Sequence, residues 1–107
     1  MNDTLQLQEQ VEAGACQLFL KGWIDSSNSY LLETWLDENL DKGYQRIIFH
    51  CGELEFVSSA GIRVFLAAVR RIAALDGCEL AFADIGEQVM NVFAMTGLVK
   101  LIKQVDG

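Results

Sequence analysis

The sequence has no proline, a single histidine and three cysteines, and these scarcities exclude several kinds of site. Cys16, Cys51 and Cys78 lie far apart and form no C-x-x-C pair, and His50 is the only histidine. A metal site therefore has no support. No lysine, histidine or motif is arranged around any cysteine, so we predict buried, reduced thiols. We expect neither a metal nor a cofactor.

Basic residues are also few, with 8 Lys and Arg against 15 Asp and Glu and a net charge of −7. This balance disfavours nucleic acid as a partner. The longest apolar run, Val64 to Val69, is far shorter than the ~20 residues of a membrane helix, and the sequence does not begin with a signal peptide pattern. We expect a cytoplasmic protein without membrane insertion, folded as one domain over residues 1–107.

Hydrophobic periodicity and capping signals predict the element order β-β-α-β-α-β-α-β. The predicted elements are strands over Leu5–Val11 and Cys16–Trp23, a helix over Ser26–Asp41, a strand over Arg46–Cys51, a turn at 51–53, a helix over Gly61–Leu75, a strand over Glu79–Ala83, a helix from 84–87 to Thr96, and a strand-like run over Leu98–Val105. The first two strands form an antiparallel hairpin. The order predicts an α/β fold, in which helices pack on a single mixed, mostly parallel sheet.

The run from Phe56 to Ile62 places two serines and a glycine where a strand passes into the helix predicted over Gly61–Leu75. A helix start presents unpaired N–H groups and the positive end of a dipole, so it attracts negative charge. A serine there can cap the helix, act as a nucleophile or carry a phosphate. The nucleophile is disfavoured because Val57 replaces the first glycine of a G-x-S-x-G elbow and no acid is apparent beside His50. The cap and the phosphate both remain open, and they are compatible.

The residues from Leu54 to Val64 resemble the signature of the STAS family, the sulphate transporter and anti-sigma factor antagonist domains. In that family a strand leads into Asp-Ser-Ser/Thr-Gly or Ser-Ser-Ala-Gly and then into an aliphatic helix. The tetrapeptide Gly22–Asp25 is similar to the family's Gly-Glu-Leu-Asp, and Val92–Leu98 is similar to its late helix–Gly–Leu ending. The resemblance covers nearly the whole chain and implies the STAS fold.

The resemblance implies a non-enzymatic anti-sigma factor antagonist. Such a protein binds an anti-sigma factor that is also a serine kinase, leaves it when a serine of the motif is phosphorylated, and is restored by a serine phosphatase. Ser59 matches the phosphate acceptor, and Ser58 is the weaker candidate. The resemblance also implies a switch and partner surface with five members, namely Asp25, Ser58, Ala60, Gly61 and Arg63.

Two of these residues have alternative interpretations. Arg63 follows Ser59 by four residues and could pair with a phosphate, although a solvated surface residue or a partner contact is favoured. Asp25 is either a capping or turn acid for the helix that follows it, or a member of the switch surface. Both alternatives stay open for Asp25.

The sequence departs from the family pattern in two ways. Ser58 stands where many members have Asp, which removes a negative charge beside the acceptor. The sequence ends at Gly107 without the final amphipathic helix that members usually add, so we expect rearrangement, self-association as a homodimer or a partner to cover the apolar surface. These departures sustain an alternative function, an accessory subunit of an ABC-type lipid transporter or of another multiprotein assembly.

Overall fold

The computed structural model describes residues 4–106, and these follow the predicted order of elements. The elements are β1 (Leu5–Glu12), β2 (Ala15–Ile24), α1 (Ser29–Asn39), β3 (Arg46–Val57), α2 (Ser59–Ala73), β4 (Glu79–Ala83), α3 (Glu87–Thr96) and β5 (Lys103–Val105). Short 3₁₀ turns at Leu40–Lys42 and Leu98–Lys100 follow α1 and α3. The α/β class and the element order are confirmed.

One mixed sheet carries the strands in the order β1-β2-β3-β4-β5. The β1 strand runs antiparallel to β2, and β3, β4 and β5 run parallel to one another and to β2. The β1–β2 connection is a two-residue turn in which Ala13 and Gly14 have φ values of 51° and 82°. Such a turn needs positive φ at both positions and matches the twist of the strands it joins. The predicted hairpin is therefore confirmed.

The three helices cover one face of the sheet through a cluster of aromatic rings. Phe49 on β3 contacts Phe82 on β4 and Phe65 on α2, with centroids 5.3 and 5.9 Å apart. Phe93 on α3 meets Phe65 at 5.6 Å, and Trp35 on α1 meets Phe49 at 6.1 Å. Tilted and edge-to-face pairs of this kind add about 0.5–1.5 kcal/mol each beyond the area that they bury. The cluster ties every helix to the centre of the sheet.

The turn predicted at residues 51–53 is wrong, because β3 continues without interruption to Val57. The second half of β3 keeps β2 as its partner, with Lys21 opposite Glu53 and Trp23 opposite Phe56. The pairing shifts register between Phe19 and Lys21 and again between Gly22 and Trp23 of β2. These shifts accommodate the additional residues of β3. Bulges break the alternation of apolar and polar residues, which is why the sequence pattern was misleading here. The serine motif therefore stands at the end of a twelve-residue strand.

Other element boundaries also differ from the prediction. The α1 helix begins at Ser29, because residues 25–28 form a hydrogen-bonded turn before it. The α2 helix begins two residues early, at Ser59. Only Lys103–Val105 of the last predicted strand pairs with β4, since the chain first makes a 3₁₀ turn after Gly97, whose φ is 80°.

The three cysteines are free. Cys16 and Cys51 are buried as predicted, and burial raises the pKa of the Cys51 thiol to about 12. Cys78 is only half-buried, so the prediction of a buried thiol is wrong for this residue. It stands just before β4 and lines a pocket together with Val69 and Ile72 of α2.

Candidate functional site

The turn from β3 into α2 is fixed by backbone hydrogen bonds on both sides. Ser58 is the N-cap residue, with extended backbone angles (φ −84°, ψ 178°). Its N–H donates to the carbonyl of Ile24 at 2.9 Å, and its carbonyl accepts from the N–H of Ile62 at 3.0 Å. The first bond holds the motif against the end of β2, and the second opens the helix. The start of α2 is therefore positioned by β2 as well as by β3.

Gly61 is buried where α2 crosses the ends of β2 and β3. A Cβ atom at this position would lie 2.7 Å from Cγ1 of Val57 and 2.9 Å from Cγ2 of Ile24. Real Cβ atoms do not approach other atoms so closely, and both neighbours are rigid β-branched side chains. The motif glycine is thus a packing requirement that lets the helix start sit directly on the two strands.

The two serines of the motif have opposite surroundings. The Ser58 Oγ is buried and has no hydrogen-bond partner among residues 4–106. Ser59 is exposed at the first helical position, and the following Ala60 is half-buried. The N-cap makes no side-chain capping hydrogen bond, so the capping role considered for Ser58 is not realised. Of the two hydroxyl groups, the one that faces solvent belongs to Ser59.

Asp25 orders the turn between β2 and α1. Its carboxylate accepts hydrogen bonds from the backbone N–H and the hydroxyl of Ser27 at 2.8 and 2.6 Å, and from Nε1 of Trp23 at 3.1 Å. The hydrogen bonds from Ser27 are the main reason that the pKa of this carboxyl is lowered. The structure supports the interpretation of Asp25 as a turn acid, and its place in a switch surface stays a prediction.

Asn28, which the sequence reasoning passed over, holds that turn from inside. It is fully buried, and its Oδ1 accepts from the N–H of Asp25 at 2.8 Å. Its Nδ2 donates to the carbonyl of Trp23 at 2.8 Å and to Oγ1 of Thr4 at 2.7 Å. A run of four capping-type residues, 25–28, was the available signal. It marked a turn but did not show which member would be buried.

Exposed aromatic side chains border the motif. Trp23 and Phe56 are neighbours across the β2–β3 ladder, and they are 38% and 52% exposed. Tyr30, in the first turn of α1, is 55% exposed. Large apolar side chains grouped on a surface mark sites of protein contact more often than single ones do. The exposure of Trp23 and Phe56 could not be predicted from the sequence, because it depends on the length of β3.

Arg63 lies on the exposed side of α2, one turn after Ser59. Within the described part of the chain it makes no ion pair. Its charge is therefore available to a phosphate or to a partner, and both interpretations stay predictions.

His50 lies away from the serines and has its own partners. Its Nε2 is 2.7 Å from Oε1 of Gln17, its Nδ1 is 3.7 Å from Oδ2 of Asp84, and its ring stacks on Phe19 at 4.2 Å. His50 is thus a hydrogen-bonded strand histidine, and the acid that lies beside it, Asp84, was not apparent from the sequence. Ser59 is not among these partners, so the positions of these side chains do not support the hypothesis that a serine of the motif is a nucleophile.

Two further findings concern residues 4–106. No group of three or more His, Cys, Asp and Glu side chains is placed to hold a metal ion. No helix in the same range combines the length and hydropathy that crossing a membrane requires.

The STAS domain matches residues 6–106, and the chain belongs to this family. BtrV of Bordetella bronchiseptica, named as a candidate anti-sigma factor antagonist, is 33% identical over 82 residues, which cover 77% of this chain and 70% of BtrV. A Thermotoga maritima structure described in the same terms superposes with a TM-score of 0.85 at 24% identity, covering 94% of this chain and 86% of that one.

The fold is also that of the anti-sigma factor antagonist SpoIIAA. The unphosphorylated form of SpoIIAA superposes with a TM-score of 0.78 at 20% identity and covers 95% of this chain and 88% of that one. SpoIIAA from Bacillus in its phosphorylated form superposes with a TM-score of 0.71 at 21% identity, covering 96% and 90%. The relatives of this chain are thus described as anti-sigma factor antagonists, and the STAS resemblance of the sequence is confirmed.

Proposed function

We propose that this protein is an anti-sigma factor antagonist whose binding is controlled by phosphorylation of Ser59. In its unphosphorylated state it binds an anti-sigma factor that is also a serine kinase. Transfer of phosphate to the Ser59 hydroxyl separates the two proteins, and a serine phosphatase removes the phosphate. The protein itself acts as a binding module and not as an enzyme.

The observation that carries this proposal is the contrast between the two serines. Ser59 is exposed at the first position of α2, whereas the Ser58 hydroxyl is buried. A kinase must reach the hydroxyl that it modifies, which favours Ser59. A phosphate there would meet the free N–H groups and the positive end of the α2 dipole, so the domain need not unfold to accept it.

The same geometry supports a change in binding. A phosphate adds about −1.5 to −2 charges and three strong acceptor oxygens. Trp23 and Phe56 expose apolar surface at the end of the sheet where β3 leads into α2. A doubly charged, hydrated group within such a contact must be desolvated, which opposes binding. Arg63, one turn further on, could hold the phosphate on the domain itself.

The test is intact mass after incubation with the cognate kinase and ATP. The wild-type protein and Ser58→Ala, the matched control, should each gain one phosphate, while Ser59→Ala should gain none. Undiminished labelling of Ser59→Ala would overturn the assignment of the acceptor. A wild-type protein that is never labelled by the kinase it binds would overturn the switch.

Affinity capture from the native cell separates this function from the alternative. Recovery of a kinase whose binding is lost on phosphorylation supports the antagonist. Recovery of a transporter ATPase and no kinase would favour the accessory-subunit function. Self-association is a separate prediction, and light scattering that finds a monomer at high concentration would contradict it.

A further inference from the structure

Three of the eight basic residues of this acidic protein lie on the single helix α2. These are Arg63, Arg70 and Arg71, and all three are exposed. Arg71 is engaged, because its Nη1 donates to Oδ1 of Asp37 on α1 at 2.8 Å. Arg63 and Arg70 make no ion pair with any residue in the range 4–106. Two exposed cationic groups are therefore free on a protein with a net charge of −7.

These arginines border a groove between α1 and α2 with a volume of about 430 Å³. Its apolar lining comes from both helices and consists of Leu36, Val64, Leu66 and Ala67. Its charged lining consists of Glu33, Asp37, Arg63, Arg70 and Arg71. Three arginines against two carboxylates make the groove locally positive. An apolar floor with a positive border is complementary to a segment that is apolar on one side and acidic at its edges.

The spacing of the free arginines matches a helix. Arg63 and Arg70 are seven residues apart on α2, which places them two turns and about 10 Å apart along the helix axis. Carboxylates at positions i and i+7 of a second helix have the same separation. Apolar residues between them on that helix would face Leu66 and Ala67. An isolated carboxylate could not reach both arginines and the floor together.

We propose that the groove between α1 and α2 binds an acidic amphipathic helix of the partner protein. Two of its carboxylates, two turns apart, pair with Arg63 and Arg70, and its apolar side packs on Leu66 and Ala67. The inference rests on the proposed function only for the identity of the protein that carries this helix. The chemistry of the segment follows from the groove itself.

The groove begins one helical turn from Ser59, so it also bears on the switch. Residues 59 and 63 are neighbours on one face of α2. A phosphate on Ser59 brings negative charge to the end of the groove and competes for Arg63. The acidic helix then loses one of its two cationic partners and meets a like charge.

The test uses a designed peptide of eighteen residues as the probe, with apolar residues along one face and glutamates at positions i and i+7. A scrambled peptide of the same composition is its control. Binding is measured by fluorescence anisotropy with the intact protein, and the site is mapped by chemical shifts of the ¹⁵N-labelled chain. The charge-reversal variant is Arg63→Glu/Arg70→Glu. Its matched control, Lys42→Glu/Lys100→Glu, makes the same change in net charge at exposed positions outside the groove.

The wild type should bind the designed peptide, with shift changes along α1 and α2. Affinity should fall about tenfold or more in Arg63→Glu/Arg70→Glu and stay within about twofold in the control. A peptide with lysines in place of the two glutamates should recover binding to the charge-reversal variant. Equal losses in both variants, or no preference over the scrambled peptide, would overturn the inference. Circular dichroism establishes that each variant is folded.

The outcome is independent of the proposed function. If the kinase phosphorylates Ser59 and the complex separates, but Arg63→Glu/Arg70→Glu binds the kinase as the wild type does, the groove inference fails and the switch stands. If the peptide binds in the groove and no kinase labels Ser59, the switch fails and the groove stands.

Discussion

Gly61 lies so close to Val57 that a Cβ atom on the glycine would stand 2.7 Å from the valine Cγ1. The contact sets how near α2 comes to the sheet, and therefore where Ser59 is held. We predict that Gly61→Ala lowers the free energy of unfolding by about 1–2 kcal/mol. Overpacking costs about 1–3 kcal/mol, and the better helix propensity of alanine offsets up to about 1 kcal/mol of it.

Urea unfolding measures this effect. Gly86→Ser is the control, because nothing lies within 4 Å of a Cβ at position 86 and serine is a good N-cap residue. The control should change stability by less than about 0.5 kcal/mol. A stabilised Gly61→Ala would show that α2 can move away from the strands freely.

Ser58→Ala should not show the usual loss of an N-cap serine. Such a substitution ordinarily costs about 1 kcal/mol because a capping hydrogen bond disappears. Here the hydroxyl makes no capping bond and is buried without a partner, so its removal relieves a desolvation cost. We predict unchanged or higher stability, by up to about 1 kcal/mol, in thermal and urea unfolding. A loss above about 1 kcal/mol would show that the hydroxyl is capping α2 in solution.

Asn28→Ala should be among the most destabilising single changes outside the aromatic cluster. The side chain is fully buried and makes three hydrogen bonds, to Thr4, Trp23 and Asp25. Removing it leaves buried polar groups without partners, which we expect to cost about 2–4 kcal/mol. Urea unfolding measures the loss, with the exposed Ser26→Ala as the control. Equal stabilities for the two variants would contradict the role of Asn28.

Asp25 should make stability depend on pH in the acid range. Hydrogen bonds from Ser27 lower its pKa below the ordinary value of 3.8, so the folded protein binds its proton less readily than the unfolded chain does. This contribution is present above about pH 4 and is lost as the pH falls through the folded-state pKa. The stability difference between wild type and Asp25→Asn should therefore shrink from pH 6 to pH 3 in urea unfolding. A difference that is independent of pH would contradict it.

Thiol labelling should distinguish Cys78 from Cys51. Burial raises the pKa of both thiols, but Cys51 is completely enclosed with a pKa of about 12, whereas Cys78 is partly exposed. A thiol-reactive reagent at pH 8 should modify Cys78 first and reach Cys51 only when the protein opens. Cys78→Ser should abolish the fast phase. A fast phase that persists in Cys78→Ser would contradict this order.

The sequence predicted the element types and their order along the chain well where local signals were unambiguous. The continuous apolar run at Arg46–Cys51 is the central strand, and the glycines after α1 and α3 end those helices with positive φ. The extension of β3 to Val57 could not be predicted, because the bulges beside Gly22 are a property of two strands together. The apolar residues of the final run from Leu98 fit a strand and a 3₁₀ turn equally well. Its 3₁₀ turn over Leu98–Lys100 therefore depends on tertiary packing.

The position of the candidate site could be predicted from the sequence, but which of its two serine hydroxyls faces solvent could not. The motif located both serines at the start of a helix, which is a local property. Which hydroxyl is buried depends on the direction in which β3 ends. It also depends on the hydrogen bond from the Ser58 N–H to the carbonyl of Ile24 on β2. The acid beside His50 comes from the end of β4, more than thirty residues further along the chain. Contacts between residues that are so far apart in the sequence do not affect the local hydrophobic periodicity.

Because β3 is longer than β4, the serine motif and the aromatic cluster lie in different parts of the molecule. β4 pairs with β3 only from Arg46 to His50, so Val57 lies seven residues, or about 23 Å, beyond the last paired residue of β3 on that side. Phosphorylation of Ser59, as we propose it, would therefore occur at the end of a projecting pair of strands, whereas the rings around Phe49 stabilise the fold elsewhere. In a domain with this arrangement, repeated changes in the binding properties do not disturb the interactions that stabilise the fold.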